Sequence, residues 1–154
     1  MRLSLNAVRF VIEAFVWPFE LCHCSRCREV SGSAFVSGID VRARAFPWVS
    51  GEQDARFFEA PALKHAPGYQ AAFCCRCGSP SPNLSSVTSE DDWFEIAEEL
   101  LDEGPGVGPG RYIFVDYAAS WDEIMNGRPQ CTERDVIKMR KAEWKEKRGR
   151  WSRS

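Results

Sequence analysis

"LCHCSRCR", residues 21–28, sets Cys22, Cys24 and Cys27 within six positions and brings no fourth cysteine with them. A structural zinc site is closed by four ligands, whereas a catalytic one keeps three protein ligands and leaves a position open to water or substrate. The ligand count therefore decides how the chain is read. A later stretch, "CCRCGSPSPN" (74–83), holds a second C-x-x-C made by Cys74 and Cys77, with Cys75 between them. Thiolates bind zinc only when a turn brings them within about 2.3 Å of one ion, and a two-residue spacer does so. Three arrangements stay open on spacing alone: a three-thiol site with a free position, a closed four-thiol site drawing one ligand from the second cluster, and free buried thiols, since cysteine is a common core residue.

Around these clusters the chain reads as a small, mainly β body. The apolar residues Val8, Phe10 and Ile12 of "AVRFVIEAF" (7–15) fit a strand with one face buried. "SAFVSGIDV" (33–41), "FPWVSGE" (46–52), "ARFFEA" (55–60), "GYQAAFC" (68–74) and "RYIFVDYA" (111–118) are further strands, with Gly and Pro marking turns between them, among them Pro61 and Pro67. "SEDDWFEIAEELLDEG" (89–104) suits a short helix ended by Gly104, and "GPGVGPG" (104–110) is a loop. From Thr132 the period changes. Thr132 and Asp135 form a capping signature, and Val136, Met139, Arg140, Glu143 and Trp144 give a helix of about four turns with a thin apolar stripe. The expected division is residues 1–131 as one domain and 132–154 as a basic C-terminal helix and tail.

At 154 residues, with 44% apolar residues and 27% charged ones, the chain can fill a core without a disulfide framework. Asn6, Arg9, Glu13 and Pro18 break the apolar N-terminal stretch before it reaches signal or membrane length, so a cytoplasmic protein without a membrane role is expected. The cysteine spacings then favour metal binding over disulfides. The seventh cysteine, Cys131, stands alone and reads as a small apolar residue. Residues 132–154 hold nine Lys or Arg against four Asp or Glu, while the remainder holds eleven against eighteen. Basic residues near a helix C-terminus offset its dipole and remain solvated, which makes nucleic acid an unfavoured partner.

"LCHCSRCREVSGSAF" (21–35), "FCCRCGSP" (73–80), "YIFVDYAASWDEI" (112–124) and "GRPQ" (127–130) resemble, in order and spacing, the glutathione-dependent formaldehyde-activating enzyme family, which includes the centromere protein V type. The resemblance covers about residues 7–131. It implies a zinc-bearing β-tent fold and a carbon–sulfur lyase whose type member joins formaldehyde to glutathione. It also implies that Cys22, Cys24 and Cys27 hold the catalytic zinc. A second zinc in that family uses an N-terminal C-x-C with the later C-x-x-C. Aligning "AVRF" sets Leu3 and Leu5 where those cysteines belong and Asn6 where a glycine belongs, so Cys74 and Cys77 remain as a degraded second site.

The implied partners are a small thiol such as glutathione and an aldehyde, with zinc as cofactor. The rival readings are a noncatalytic zinc module binding protein or nucleic acid, and a glutathione carrier without turnover. His23, between two ligands, is expected to point away from the metal, either as a proton shuttle or in a surface or hydrogen-bonding role. Arg26 and Arg28 stand near enough to attract a carboxylate of a peptide thiol, or only to offset thiolate charge. Ser31, Gly32 and Ser33 lie beside the open site by resemblance, or form a tight turn into a strand. Trp17, Trp48, Trp93 and Trp121 read as core or pocket wall, and His65 as structural.

Overall fold

A computed structural model describes residues 7–60, 69–106, 108–125 and 127–151, without the side chains of residues 15–18, 60, 69 and 143–151. Leu3, Leu5, Asn6, Pro61, His65 and Pro67, and the side chains of Trp17, Glu143 and Trp144, lie outside these. The protein is mainly β with two helices. Its elements in chain order are β1 (Arg9–Phe10), β2 (Phe15–Cys22), α1 (Ser25–Ser31), β3 (Val36–Arg42), β4 (Trp48–Ser50), β5 (Ala55–Ala60), β6 (Tyr69–Cys74), β7 (Trp93–Ile96), β8 (Arg111–Ile113), β9 (Gln130–Cys131) and α2 (Glu133–Trp151). Among the described residues no helix is long and apolar enough to cross a membrane. The chain forms two compact units, one of residues up to Phe19 with Ser37–Pro109, the other of Glu20–Val36 with Gly110–Ser154.

The first unit is built on aromatic side chains. β1 pairs antiparallel with β4, with Phe10 opposite Trp48, and the ring of Phe46 packs 5.0 Å from Phe10, 5.1 Å from Trp48 and 5.0 Å from Phe94. The last two contacts are edge-on, the arrangement the ring quadrupoles favour. Gly51 turns the chain out of β4 at φ 79°, and a Cβ there would lie 1.9 Å from the Ala7 carbonyl oxygen, so only glycine fits. β3 pairs antiparallel with β7, and β5 with β6, the latter in register from Ala55 opposite Cys74 to Ala60 opposite Tyr69.

The second unit carries most of the residues of interest. The end of β2 runs parallel to β8, with Leu21 opposite Tyr112 and Cys22 opposite Ile113, and β8 runs parallel to β9. α2 begins with the expected cap: the Thr132 hydroxyl donates 2.6 Å to Asp135 and the Thr132 N–H 3.0 Å. Val136, on its first turns, is buried with Cys22 and Ile113, and Met139 packs against the same cluster. Glu20, 6% exposed, accepts from Arg111 Nε at 2.6 Å and from Arg140 Nη2 at 2.6 Å. That pair of charged contacts ties the strand leading into the cysteines to β8 and α2.

Four expectations change. The strand expected over 7–15 shrinks to β1, within which the register slips between Arg9 and Phe10, although Val8 and Phe10 are buried as the alternation requires. β2 was not anticipated, since Pro18 within it argues against a strand by its missing N–H. Residues 93–96 of the expected helix over 89–104 are a strand, where Phe94 and Ile96 are buried and Glu95 is exposed, and only Glu98–Leu100 turn helically. The strand expected over 111–118 stops at Ile113, where Phe114 takes a left-handed conformation at φ 56° and the chain enters a 3-10 turn.

Candidate metal centre

The three thiols of the first cluster meet because β2 ends at Cys22 and a helix starts three residues later. Cys24 is the N-cap of α1, with extended dihedrals (φ −60°, ψ 150°), and its sulfur accepts the Cys27 N–H at 3.4 Å. Cys27 lies in the first turn of that helix. The Sγ atoms of Cys22, Cys24 and Cys27 lie within 4.8 Å of one another, the one group of three or more metal-type donors among the described residues. Tetrahedral Zn–S bonds of about 2.3 Å set sulfurs about 3.8 Å apart, so this trio needs only slight contraction to hold zinc. The donor set fits as well, since three soft sulfurs suit zinc.

The trio also shares charge. Hydrogen bonds from the Cys22 and Cys27 thiols, with help from the Cys27 and Arg26 backbone N–H groups, hold Cys24 down to about 2, which favours its thiolate form. Cys22 is pushed up to about 12, chiefly by its hydrogen bond to Cys24, with burial adding to the rise. Cys27 is raised too, by its bonds to Cys22 and Cys24 and by burial. The shared hydrogen bonds thus favour ionisation at Cys24 over its two neighbours.

His23 takes the opposite face. Alternation along the strand end sends Cys22 and Cys24 towards Ile113 and Val136, and Leu21 and His23 the other way. The His23 N–H donates to Ile113 O at 3.0 Å, continuing the parallel ladder by one residue. The ring is 1% exposed and packs 5.4 Å from Phe35 and 5.6 Å from Tyr112. It is therefore not a surface residue, which corrects the surface half of the surface or hydrogen-bonding role expected for it. Its Nδ1 lies 3.3 Å from Asp122 Oδ2 without hydrogen-bond geometry, and neither ring nitrogen nor that oxygen has a hydrogen-bond partner. Burial lowers the His23 pKa, the Asp122 charge opposes this, and the Arg28 charge adds to it. A pocket of about 340 Å³ opens over this ring, walled by Phe35 and Tyr112 on one side and by residues 122–125 on the other.

The remaining candidates sort by position. Arg26 and Arg28 ride on α1, both half-buried, and the Arg28 Nε is buried without a partner. Ser31, Gly32 and Ser33 are exposed and form the turn that ends α1: Gly32 is left-handed at φ 65°, and the Ser31 and Ser33 hydroxyl oxygens are 2.8 Å apart. Of the second motif, Cys74 is buried in β6 and Cys77 is half-buried with its sulfur 3.4 Å from Ser79 Oγ, whose hydrogen bond lowers the Cys77 pKa. Cys75 is exposed, and its sulfur lies 4.0 Å from Asp54 Oδ1. Cys131 packs beside the Cys22 cluster as a small apolar side chain. Trp121 is 72% exposed and so belongs to no core, because its neighbours from Asp122 onward turn into the pocket instead.

Sequence reasoning missed Asp122, Phe35 and Tyr112 as neighbours of His23. The signal for Tyr112 was present in period-two alternation, given the parallel pairing of Leu21 with Tyr112. Asp122 had none, being 99 residues further along the chain.

Comparison with known proteins adds three findings. The family model described as glutathione-dependent formaldehyde-activating enzyme matches residues 5–117. No curated protein matches the chain. Among solved structures the chain is similar to a Rhodobacter sphaeroides protein, a Northeast Structural Genomics target, at 16% identity and a TM-score of 0.49, over 85% of this chain and 97% of that one.

Proposed function

The chain belongs to the glutathione-dependent formaldehyde-activating enzyme family, and from that premise we propose that it is a zinc-dependent carbon–sulfur lyase-type enzyme acting on the adduct of an aldehyde with a thiol such as glutathione. The observation that carries this reading is the count of donors: three sulfurs gathered within 4.8 Å, with no fourth metal-type donor beside them among the described residues. Held by three thiolates, zinc supplies a Lewis acid and one position for an incoming thiolate.

The chain's own groups divide the remaining work. Cys22, Cys24 and Cys27 would hold the ion, and the hydrogen bonds that lower the Cys24 pKa favour the thiolate that metal binding needs. α2 covers the inner side of Cys22 through Val136 and keeps water from that sulfur. Arg26 and Arg28 offer positive charge for the carboxylates of a peptide thiol. Ser31, Gly32 and Ser33 present an exposed turn at the end of the same helix, suited to close approach by a ligand backbone. His23 faces away from the sulfurs, so any proton it moves belongs to a group lodged in the pocket rather than on the cluster. Seven cysteines without a disulfide suit a reducing compartment, and we assign the protein to the cytoplasm on that chemistry.

Zinc content and adduct exchange measured together on the purified chain test the proposal. With formaldehyde and glutathione supplied, exchange NMR should show S-hydroxymethylglutathione forming faster than in the spontaneous reaction, in proportion to bound zinc. Zinc and glutathione binding with no acceleration would assign the carrier reading instead. Salt-resistant nucleic-acid binding lost with residues 145–154 would assign the binding module.

A further inference from the structure

The pocket over His23 is a feature the thiol chemistry does not use: no cysteine lines it, and its polar floor is unsatisfied. Buried side-chain nitrogens and oxygens in folded proteins nearly always find a partner, because each one left bare forfeits the hydrogen bond it had in water. Here three such atoms lie together without one: His23 Nδ1, His23 Nε2 and Asp122 Oδ2. The imidazole bearing two of them is 1% exposed and faces a cavity of about 340 Å³, a size usual for small-molecule sites. Its walls join the apolar faces of Phe35, Tyr112 and Ile124 to a comparable share of polar surface, and the apolar part continues outward through Met125, which is 85% exposed.

We infer that this pocket is a binding site, separate from the three-thiol centre, for a small uncharged organic molecule that carries a hydroxyl or carbonyl on an apolar body. A hydroxyl both donates and accepts, so it can answer the imidazole and the Asp122 oxygen at once while its body covers the aromatic walls. Charge narrows the class further. Asp122 and Glu123 line the pocket, so an anion such as a glutathione carboxylate is repelled. An ammonium donates and does not accept, so it leaves the imidazole N–H without an acceptor. An uncharged ligand meets neither penalty. The site stands on geometry independent of the lyase reading, and a protein without turnover would still bind such a ligand.

Four probes of one shape test this on the zinc-loaded full chain: benzyl alcohol, toluene, benzylamine and benzoate, titrated while backbone amide shifts are followed by NMR. Benzyl alcohol should give saturable shifts at residues 23, 35, 112 and 122–125. Toluene should bind about fivefold more weakly, the worth of one net hydrogen bond, and benzylamine and benzoate should also bind more weakly than the alcohol. Ile124→Trp, which fills the cavity from its loop wall, should weaken benzyl alcohol at least tenfold with zinc content unchanged. Asp122→Leu should shrink the alcohol–toluene gap to less than twofold. Equal binding of toluene, tighter binding of the amine or the carboxylate, shifts that persist in Ile124→Trp, or no saturable shift with any probe would each overturn the inference.

Discussion

The two cysteine motifs share a two-residue spacer and reach different ends. At the first, β2 delivers Cys22 to the point where the Cys24–Cys27 turn opens into α1, and three sulfurs gather within 4.8 Å. At the second, β6 delivers Cys74 into the interior, a turn closed by the left-handed Gly78 brings Cys77 round, and the Cys75 sulfur beside Cys74 lies at the surface near Asp54. The local turn makes a pair in both places. What gathers a trio is where the third sulfur comes from: at the first motif the strand that enters the turn supplies it, and at the second the proposed alignment sets Leu3 and Leu5 where the resemblance calls for two further cysteines.

The most direct way to break that contrast is to remove one sulfur from each motif. Cys24→Ser takes away both a proposed ligand and the sulfur to which the Cys22 and Cys27 thiols donate. Losing a residue that merely orients a ligand costs 10–100-fold in metal affinity, so losing the ligand itself should cost more than about 100-fold and bring zinc from about one per chain to near none, with any lyase turnover. Cys77→Ser should leave zinc content unchanged. The converse change, Leu3→Cys with Leu5→Cys, should raise content towards two and raise the melting temperature, since four-thiolate sites contribute on the order of 10–16 kcal/mol to folding. Elemental analysis after dialysis against a chelator reads all three. Equal zinc loss from Cys24→Ser and Cys77→Ser would mean that the motifs form one site and the contrast is false.

Much of this was legible in the sequence, and the pattern of success has a physical cause. The strands β5 and β6, the turn at Gly51, the Thr132–Asp135 cap and the gathering of the three sulfurs rest on local chemistry: aromatic residues in short runs, left-handed glycines, a hydroxyl three residues before a carboxylate, and thiol spacing. The misreadings came where tertiary pairing overrode local preference. Residues 93–96 look helical by their acidic flanks, yet Phe94 and Ile96 gain more by lying buried against β3. β8 is short because Phe114 leaves the strand, a backbone choice that no apolar pattern announces. The Asp122 partner of His23 was out of reach because only the folded loop brings it there.

A second contrast concerns charge. In the unit that holds the trio, Glu20 is buried between Arg111 and Arg140, and its strand leads directly into Cys22. In the other unit, Arg44 meets Asp91 at 2.8 Å with both side chains more than half exposed. Removing one partner of a buried pair strands a charge that has lost its hydration, whereas an exposed pair exchanges water for water. Glu20→Ala should therefore cost about 2–3 kcal/mol in urea unfolding, discounted from a fully buried pair because Arg140 is 43% exposed. Arg44→Ala should stay within about 0.5 kcal/mol. Comparable losses would show that burial does not separate the two networks.

The smallest expected effect compares two carboxylates that do the same local job in different surroundings. Asp92 accepts hydrogen bonds from the Thr88 N–H at 2.7 Å, the Thr88 hydroxyl at 2.8 Å and the Ser89 N–H at 2.9 Å, which hold it down to about 2. Asp135 is lowered by the Thr132 hydroxyl and N–H at the start of α2. A carboxyl lowered on folding stabilises the protein at every pH above its unfolded value of about 3.9, and this contribution fades as the pH falls through the folded value. Both Asp92→Asn and Asp135→Asn should therefore be less stable than the parent at pH 7, and both deficits should close between pH 4 and pH 2. The variants should part company in their metal. Asp135 fixes the helix turn that carries Val136 onto Cys22, so its loss should speed zinc release to a chelator at pH 7 by about twofold to threefold as that cap is weakened. Asp92 closes a turn in the unit that lacks the trio, and its loss should leave that rate unchanged. Equal acceleration in the two variants would mean that zinc retention follows global stability and that α2 gives the trio no support of its own.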